Sequence, residues 1–346
     1  MSEEKIGAIL SRLKLTPETS LGTQTKEREF DSIWLERNIE KYPIYFTGSE
    51  KAKQEIEKKI VASKEPFVIT KKQAENGYKI LALSPAAAYG LIDGDDAKVV
   101  AGVFSYLQEE IRPKLGCYPK KFLITLKEIC ERLYIEKSGQ NYKFILRALR
   151  TVSGCAIIQT DFFETRTKKG EKSRILSEKE LRILRSVKIT KKDRLTNKGL
   201  KNKEYFVEIE LEDWMIQNLE NYYATKIDKE IYFLKLDSQR SRRLHTYLSA
   251  YNYKKEAEIK TQEITEILWI MDKETDKRKR SITRAIEPLV KVGFLEDYIF
   301  GWNEIRFVFA KVRQRRLPIK PEDKARVDSI TLKILEVLGD IHSERL

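Results

Sequence analysis

One order of elements occurs twice along this chain, and it leaves few folds open. In the first copy a helix runs from about Asp95 to Ile111, with Val99, Val103, Phe104, Leu107 and Ile111 on one face and Pro113 just past its end. An extended piece, KKFLI, leads to Thr125, which caps the helix LKEICERLYI. The turn EKSGQN follows, and then a third helix from Tyr142 to Val152 points Ile145, Ala148, Leu149 and Val152 inward. The strand-like runs CAIIQTDFFE and EYFVEIEL close this copy as a hairpin. The second copy opens with LDSQRSRRLHTYLSAYNY, capped by Asp237 or Ser238. It continues through Glu258 to Lys260, TQEITEILWI capped by Thr261, the turn DKETD, and a third helix from about Asp276 that stops at Gly293. Pro288 is expected to kink that helix. FLEDYIF and EIRFVFAK, separated by Gly301-Trp302-Asn303, end the copy. The order predicts an α+β chain with two tandem winged helix-turn-helix domains, an N-terminal helical and hairpin extension, and a C-terminal helical tail.

The expected boundaries are 1–65 for the partly mobile extension, 66–223 for the first winged helix with a long basic insertion, 224–312 for the second, and 313–346 for the tail. Within the extension, Glu3 to Leu13 reads as an amphipathic helix. Residues 27–41 read as another, with Phe30, Ile33, Trp34 and Ile39 on one face, and Ser49 caps a charged surface helix. Phe67 to Thr70 and Tyr78 to Leu83 read as a hairpin turning at Asn76-Gly77. The tail carries Arg313, Arg315 and Arg316, then an amphipathic helix with Ile330, Ile334, Leu335 and Leu338.

Charge separates the two copies. The 346 residues carry 67 Lys and Arg against 53 Asp and Glu, a net +14, which suggests a polyanionic partner. Residues 164–203 hold 15 basic and 5 acidic residues, so most of the surplus falls in the first copy. The segment reads either as a solvated linker or as an extended basic hairpin lying along a phosphate backbone. Several classes are excluded. Two histidines, His245 and His342, do not make a metal site or a histidine-pair nicking enzyme, and no P-loop motif occurs. Cys117, Cys130 and Cys155 show no CxxC spacing, and the last two read as core thiols. No cofactor is expected. No apolar run approaches ~20 residues, and the N-terminus lacks a signal pattern, so a cytoplasmic protein associated with nucleoid or plasmid is expected, without a membrane role.

Candidate DNA-contacting residues follow from the third helices and the basic insertion. In the second copy Ile282, Ala285, Ile286 and Leu289 form the docking face, leaving Lys277, Arg278, Lys279, Arg280, Thr283 and Arg284 to reach base edges. In the first copy the equivalent residues are Ser138, Gln140, Asn141, Lys143 and Arg147, with Arg150 beyond. Gln and Asn there serve either to read adenine or to make the turn and cap. Lys168, Lys169, Lys191, Lys192, Arg194 and Lys198 supply backbone attraction, and Trp302 marks the second wing.

The runs YGLIDGDDAKVVAGVFSYLQEEI, TLKEICERLYIEKSGQNYKFILRALRTVSGCAIIQT, VEIELEDWMIQNL and IYFLKLDSQRSRRLHTYLSAY resemble bacterial plasmid replication initiator proteins of the replication initiator protein A type. The resemblance spans Ala87 to Lys311 and includes the Asp213-Trp214 joint and the Arg240, Arg242, Arg243 helix opening. It implies a non-enzymatic protein that binds direct repeats at a plasmid origin, helps open an adjacent AT-rich stretch, and recruits the host helicase or initiator proteins. It also implies a homodimer that binds an inverted operator repeat and represses its own gene. A transcription regulator with the same reading parts is the alternative. An enzyme using Tyr222 or Tyr223 as nucleophile lacks an accompanying carboxylate cluster or histidine pair.

Overall fold

The structure, a computed structural model, describes residues 32–74, 77–160, 163–166, 172–174, 179–195 and 201–310. The N-terminal helix expected at Glu3 to Leu13 and the C-terminal tail helix lie outside them. The chain is mixed α and β, with five small antiparallel sheets among the described residues.

Its first described element corrects the reading of residues 27–41 as a helix. Ser32–Glu36 is strand β1, and only Arg37–Lys41 is helical (α1). The apolar spacing of Ile33, Trp34 and Ile39 suits a helix, but pairing with a strand near residue 226 wins, and both faces of β1 are covered. Helix α2, Glu50–Ser63, starts at Ser49, whose hydroxyl accepts from the Ala52 amide at 3.3 Å. Strands β2 (Phe67–Ala74) and β3 (Gly77–Ser84) form the expected hairpin.

Helix α3, Gly94–Tyr106, is opened by a reciprocal capping box between Asp93 and Asp96. It widens into a π turn at Leu107–Ile111 and ends as α4, Arg112–Leu115. Pro113 therefore sits inside the helical run rather than beyond it. The wider turn accommodates a residue that has no amide hydrogen and whose ring crowds the preceding turn. Strand β4 (Lys121–Thr125) leads into α5 (Leu126–Leu133), where Thr125 and Glu128 form a second capping box. Helix α6 spans Gly139–Gly154 and buries Ile145, Ala148, Leu149 and Val152.

The next stretch departs from the expected hairpin. Within CAIIQTDFFE, strand β5 (Ala156–Thr160) does not pair with EYFVEIEL; it adds to β3, placing Ile157 opposite Leu83. Short strands β6 (Glu164–Arg166), β7 (Lys172–Arg174) and β8 (Lys179–Leu181) follow, β8 extending the sheet to the order β2-β3-β5-β8. The closing hairpin is instead β9 (Leu184–Leu195) with β10 (Lys201–Leu211), in a sheet of order β4-β10-β9. Strand β9 thus lies within the basic segment, and β10 begins in it at residues 201–203. Val187 and Ile189 on β9 face the same side as Ile209 and Val207 on β10, which gives the pair an apolar face to pack.

Helix α7 (Asp213–Glu220) and strand β11 (Ala224–Asp228), the partner of β1, join the copies. A π turn at Ile231–Lys235 leads to α8 (Gln239–Ser249), capped by Ser238. Then come β12 (Glu256–Lys260), α9 (Thr261–Ile267), α10 (Thr275–Lys291), β13 (Leu295–Phe300) and β14 (Glu304–Phe309), with sheet order β12-β14-β13. Thr261 is the first residue of α9 rather than its cap. Both copies therefore end in a three-stranded sheet in which the strand before the second helix pairs with the last strand.

Two cores form. One draws on residues from Ile33 to Phe233, so residues 33–60 are integral to it rather than an appendage; the other runs from Leu236 to Phe309. Cys130 and Cys155 are buried in the first. Trp269, from the second copy, plugs into that first core. Its ring lies 5.0 Å from Phe46 and 5.7 Å from Phe67, and its Nε1 donates to the Pro43 carbonyl at 3.1 Å. Its φ of 51 is strained for an aromatic residue and is held by this docking.

Candidate nucleic-acid interface

Helix α10 presents two opposite faces. Ile282, Ala285, Ile286 and Leu289 are buried in the second core. The other face is open and carries Asp276, Lys279, Arg280, Thr283, Arg284 and Glu287, three basic residues between two flanking carboxylates. Spacings of three and four put these residues in one row along the helix, as a major-groove helix requires.

The basic residues there have different tasks. Arg278 turns back onto its own helix start, donating to the Asp272 and Lys273 carbonyls at 3.3 Å, and it staples the preceding turn. Lys277 pairs with Glu274 at 2.8 Å on the surface. Lys279 holds its ammonium 4.9 Å from the Phe300 ring centre, linking the helix to the β13–β14 hairpin. Arg280 makes one long contact with its own helix, to the Asp276 carbonyl at 3.4 Å, and Arg284 has no ion pair among the described residues. These two arginines and Thr283 are the groups left to meet a ligand. Trp302 stands at the tip of the adjoining hairpin, 96% exposed.

Helix α6 is organised differently. The Ser138 hydroxyl accepts the Asn141 amide at 3.2 Å, and the Asn141 side chain donates to the Glu136 carbonyl at 2.8 Å. Both residues are therefore engaged in capping and turn. Gln140, Lys143, Arg147 and Arg150 are exposed, and Arg150 lies 6.0 Å from the Tyr89 ring centre.

The β9–β10 hairpin carries the charge that α6 lacks. Strand β4 pairs with β10 only from Phe206 to Glu210. From Lys191 and Tyr205 outward, the β9–β10 pair is bonded to itself alone among the described residues, an arm of roughly 17 Å at ~3.3 Å per residue. Residues 190–205 include six basic and two acidic residues. Lys191 is exposed. Register sets Lys192 opposite Glu204 and Arg194 opposite Asn202. Lys168, Lys169 and Lys198 lie outside the described residues. Lys188, Lys201 and Lys203 belong to the same hairpin and were not singled out from sequence, although the charge count of their segment pointed there.

The arginines opening α8 are not at this surface. Arg243 is buried and pairs with buried Glu40 at 3.2 Å, and it also donates to the Tyr42 carbonyl. Arg242 meets Asp95 at 2.5 Å and the Asp237 carbonyl at 2.7 Å, while Arg240 donates to the Thr47 carbonyl at 3.1 Å. They weld the two copies together. Tyr223, one of the two tyrosines weighed as a nucleophile, donates to Glu164 at 2.5 Å; burial and that carboxylate push its hydroxyl far above the ordinary tyrosine range.

The molecule is thus a mixed α and β protein of two like-ordered units, one with an exposed basic helix and one with a projecting basic hairpin. No protein-family model and no curated protein matches the chain. Two solved structures are similar in part. Selenomethionine derivatives of domains 2 and 3 of RctB align with a TM-score of 0.45 at 10% identity, covering 70% of this chain and 90% of that one. A second structure of RctB domains 2-3 gives 0.41 at 9% identity, covering 69% and 90%. Likeness of this degree carries neither a role nor a residue assignment across. Among the described residues no helix is long and apolar enough to cross a membrane.

Proposed function

We propose that this chain is a sequence-specific DNA-binding initiator of replication, built on two tandem winged helices. The observation that carries the reading is α10: a helix with one face locked in the core and the other open, offering Arg280, Thr283 and Arg284 in a row. In this reading α10 enters a major groove and each well-placed arginine contributes ~1–3 kcal/mol of discrimination between bases. The β9–β10 arm tracks phosphates and supplies affinity independent of sequence. Gln140, Lys143 and Arg147 on α6 make auxiliary contacts.

The resemblance of residues 87–311 to plasmid initiators supports direct repeats at an origin as the target, and an inverted operator repeat for a dimer. Host helicase or initiator proteins are the partners this role requires. The protein acts by binding, without a cofactor and without catalysis. Footprinting on DNA upstream of its own gene tests the reading: protected direct repeats are expected at submicromolar protein. Absence of protection contradicts it, and a single protected palindrome with no effect on replication makes the protein a regulator instead.

A further inference from the structure

Trp302 is the most exposed large apolar side chain among the described residues, and nothing in the fold uses it. Its backbone is held all the same. The Gly301 amide donates to the Glu304 carbonyl at 2.9 Å and closes the turn. The Thr261 amide donates to the Asn303 carbonyl at 2.8 Å and ties the turn to the start of α9. Behind the tip, Tyr298 and Phe300 meet edge to face at 5.8 Å, and Phe300 carries the Lys279 ammonium from α10. A rigid support therefore projects one indole into solvent, beside the basic helix face.

The neighbours of the ring at the tip are polar or small: Gly301, Asn303 and Glu304 are all exposed. A protein-docking surface needs a contiguous apolar patch, which a lone ring on a hairpin tip does not provide. A single flat ring flanked by polar groups fits a slot instead, and the slot nearest a helix seated in a major groove is a base step of the same duplex. Resting on the reading of α10 as the DNA-facing helix, we propose that Trp302 is a stacking wedge that enters the adjoining minor groove, inserts at one base step and unstacks it. The wing would then be a device for distorting DNA, and the step it enters would be chosen for its ease of opening, a pyrimidine–purine step above all.

The test uses the full chain with Trp302→Ala and Trp302→Phe, on duplexes that carry 2-aminopurine at successive steps of the bound site and on the same duplexes with a mismatch at one step. Exposure of Trp302 means both variants should fold, which unchanged thermal unfolding checks. Wild type is expected to raise 2-aminopurine fluorescence at one step, and to bind the duplex mismatched there about tenfold tighter than the matched one, the unstacking being already done. Trp302→Ala should lose both signals and keep the same salt dependence of binding, while Trp302→Phe should retain them in part. A bound wild type that raises no signal, or an alanine variant that keeps it, overturns the wedge and leaves the DNA reading standing. A wild type that binds no duplex overturns both.

Discussion

The two copies share an order of elements and a strand pairing, yet their charge is placed on opposite parts. In the second copy the third helix is basic and the hairpin is short, ending at Trp302. In the first copy the third helix uses Ser138 and Asn141 to hold its own start, and the hairpin is long and basic. In the proposed reading, the difference makes the third helix and the closing hairpin separable instruments on one frame. A short helix face with two uncommitted arginines suits discrimination, and a projecting charged arm suits attraction.

The largest expected effect bears on the frame that fixes the two copies to each other. Arg243→Met leaves Glu40 buried without its partner, and burial already pushes the Glu40 carboxyl up. A loss of ~3–5 kcal/mol in denaturant unfolding is expected. Glu40→Gln combined with Arg243→Met should recover much of it. If Arg243→Met is neutral, the copies are not held by this pair.

A second prediction concerns the seam between β1 and the first copy. Glu36 is fully buried and accepts hydrogen bonds from the Ile39 amide at 3.0 Å, Asn38 at 2.9 Å and Asn218 at 2.7 Å. Burial pushes its carboxyl from 4.5 up to about 8, against the pull of those bonds. The folded protein therefore holds this proton at pH values where the unfolded chain has released it. Stability is fully present below about 4.5 and is lost as pH rises toward 8, by up to ~1.4 kcal/mol per pH unit. Urea unfolding of Glu36→Gln across that window should show a flatter slope than wild type; an equal slope would place the titration elsewhere.

Smaller effects sharpen the division of labour. Arg284→Ala should weaken binding to the preferred site by ~1–3 kcal/mol and relax the preference at one base position, read by selection from a random pool. Ser138→Ala should lower stability by ~1 kcal/mol in thermal unfolding and leave DNA affinity as it was, because the hydroxyl caps α6. A change in base preference in that variant would return Ser138 to the reading face.

Much of this architecture was legible in the sequence. The capping residues Ser49, Thr125 and Ser238, the apolar stripes of α6 and α10, and the hairpin around Trp302 follow from local spacing, and local spacing decided them. What failed was decided at long range. Ile33, Trp34 and Ile39 suit a helix, but β11, nearly two hundred residues away, claims Ile33 and Trp34 for a strand. Ile157 belongs to an alternating run that fits either sheet, and only the neighbouring β3 settles which. For the candidate site, Arg240, Arg242 and Arg243 look like surface charge in sequence, since most of their carboxylate and carbonyl partners lie far along the chain. The Arg278 hydrogen bonds to its own turn were within reach, because a long side chain at a helix start often meets the carbonyls just before it.

The central claim is that the arm grips and α10 reads. Its most direct test is the affinity of two variants for the preferred duplex and for a scrambled one, measured by fluorescence anisotropy across a salt series. One variant neutralises Lys191, Lys192, Arg194, Lys201 and Lys203 of the arm, and the other is Arg284→Ala. The neutralised arm should weaken both duplexes alike and lower the salt slope by about one for each phosphate it no longer neutralises, whereas Arg284→Ala should weaken the preferred duplex and leave the scrambled one nearly unchanged. An arm variant that discriminates between the duplexes, or an Arg284 variant that weakens both alike, contradicts the account.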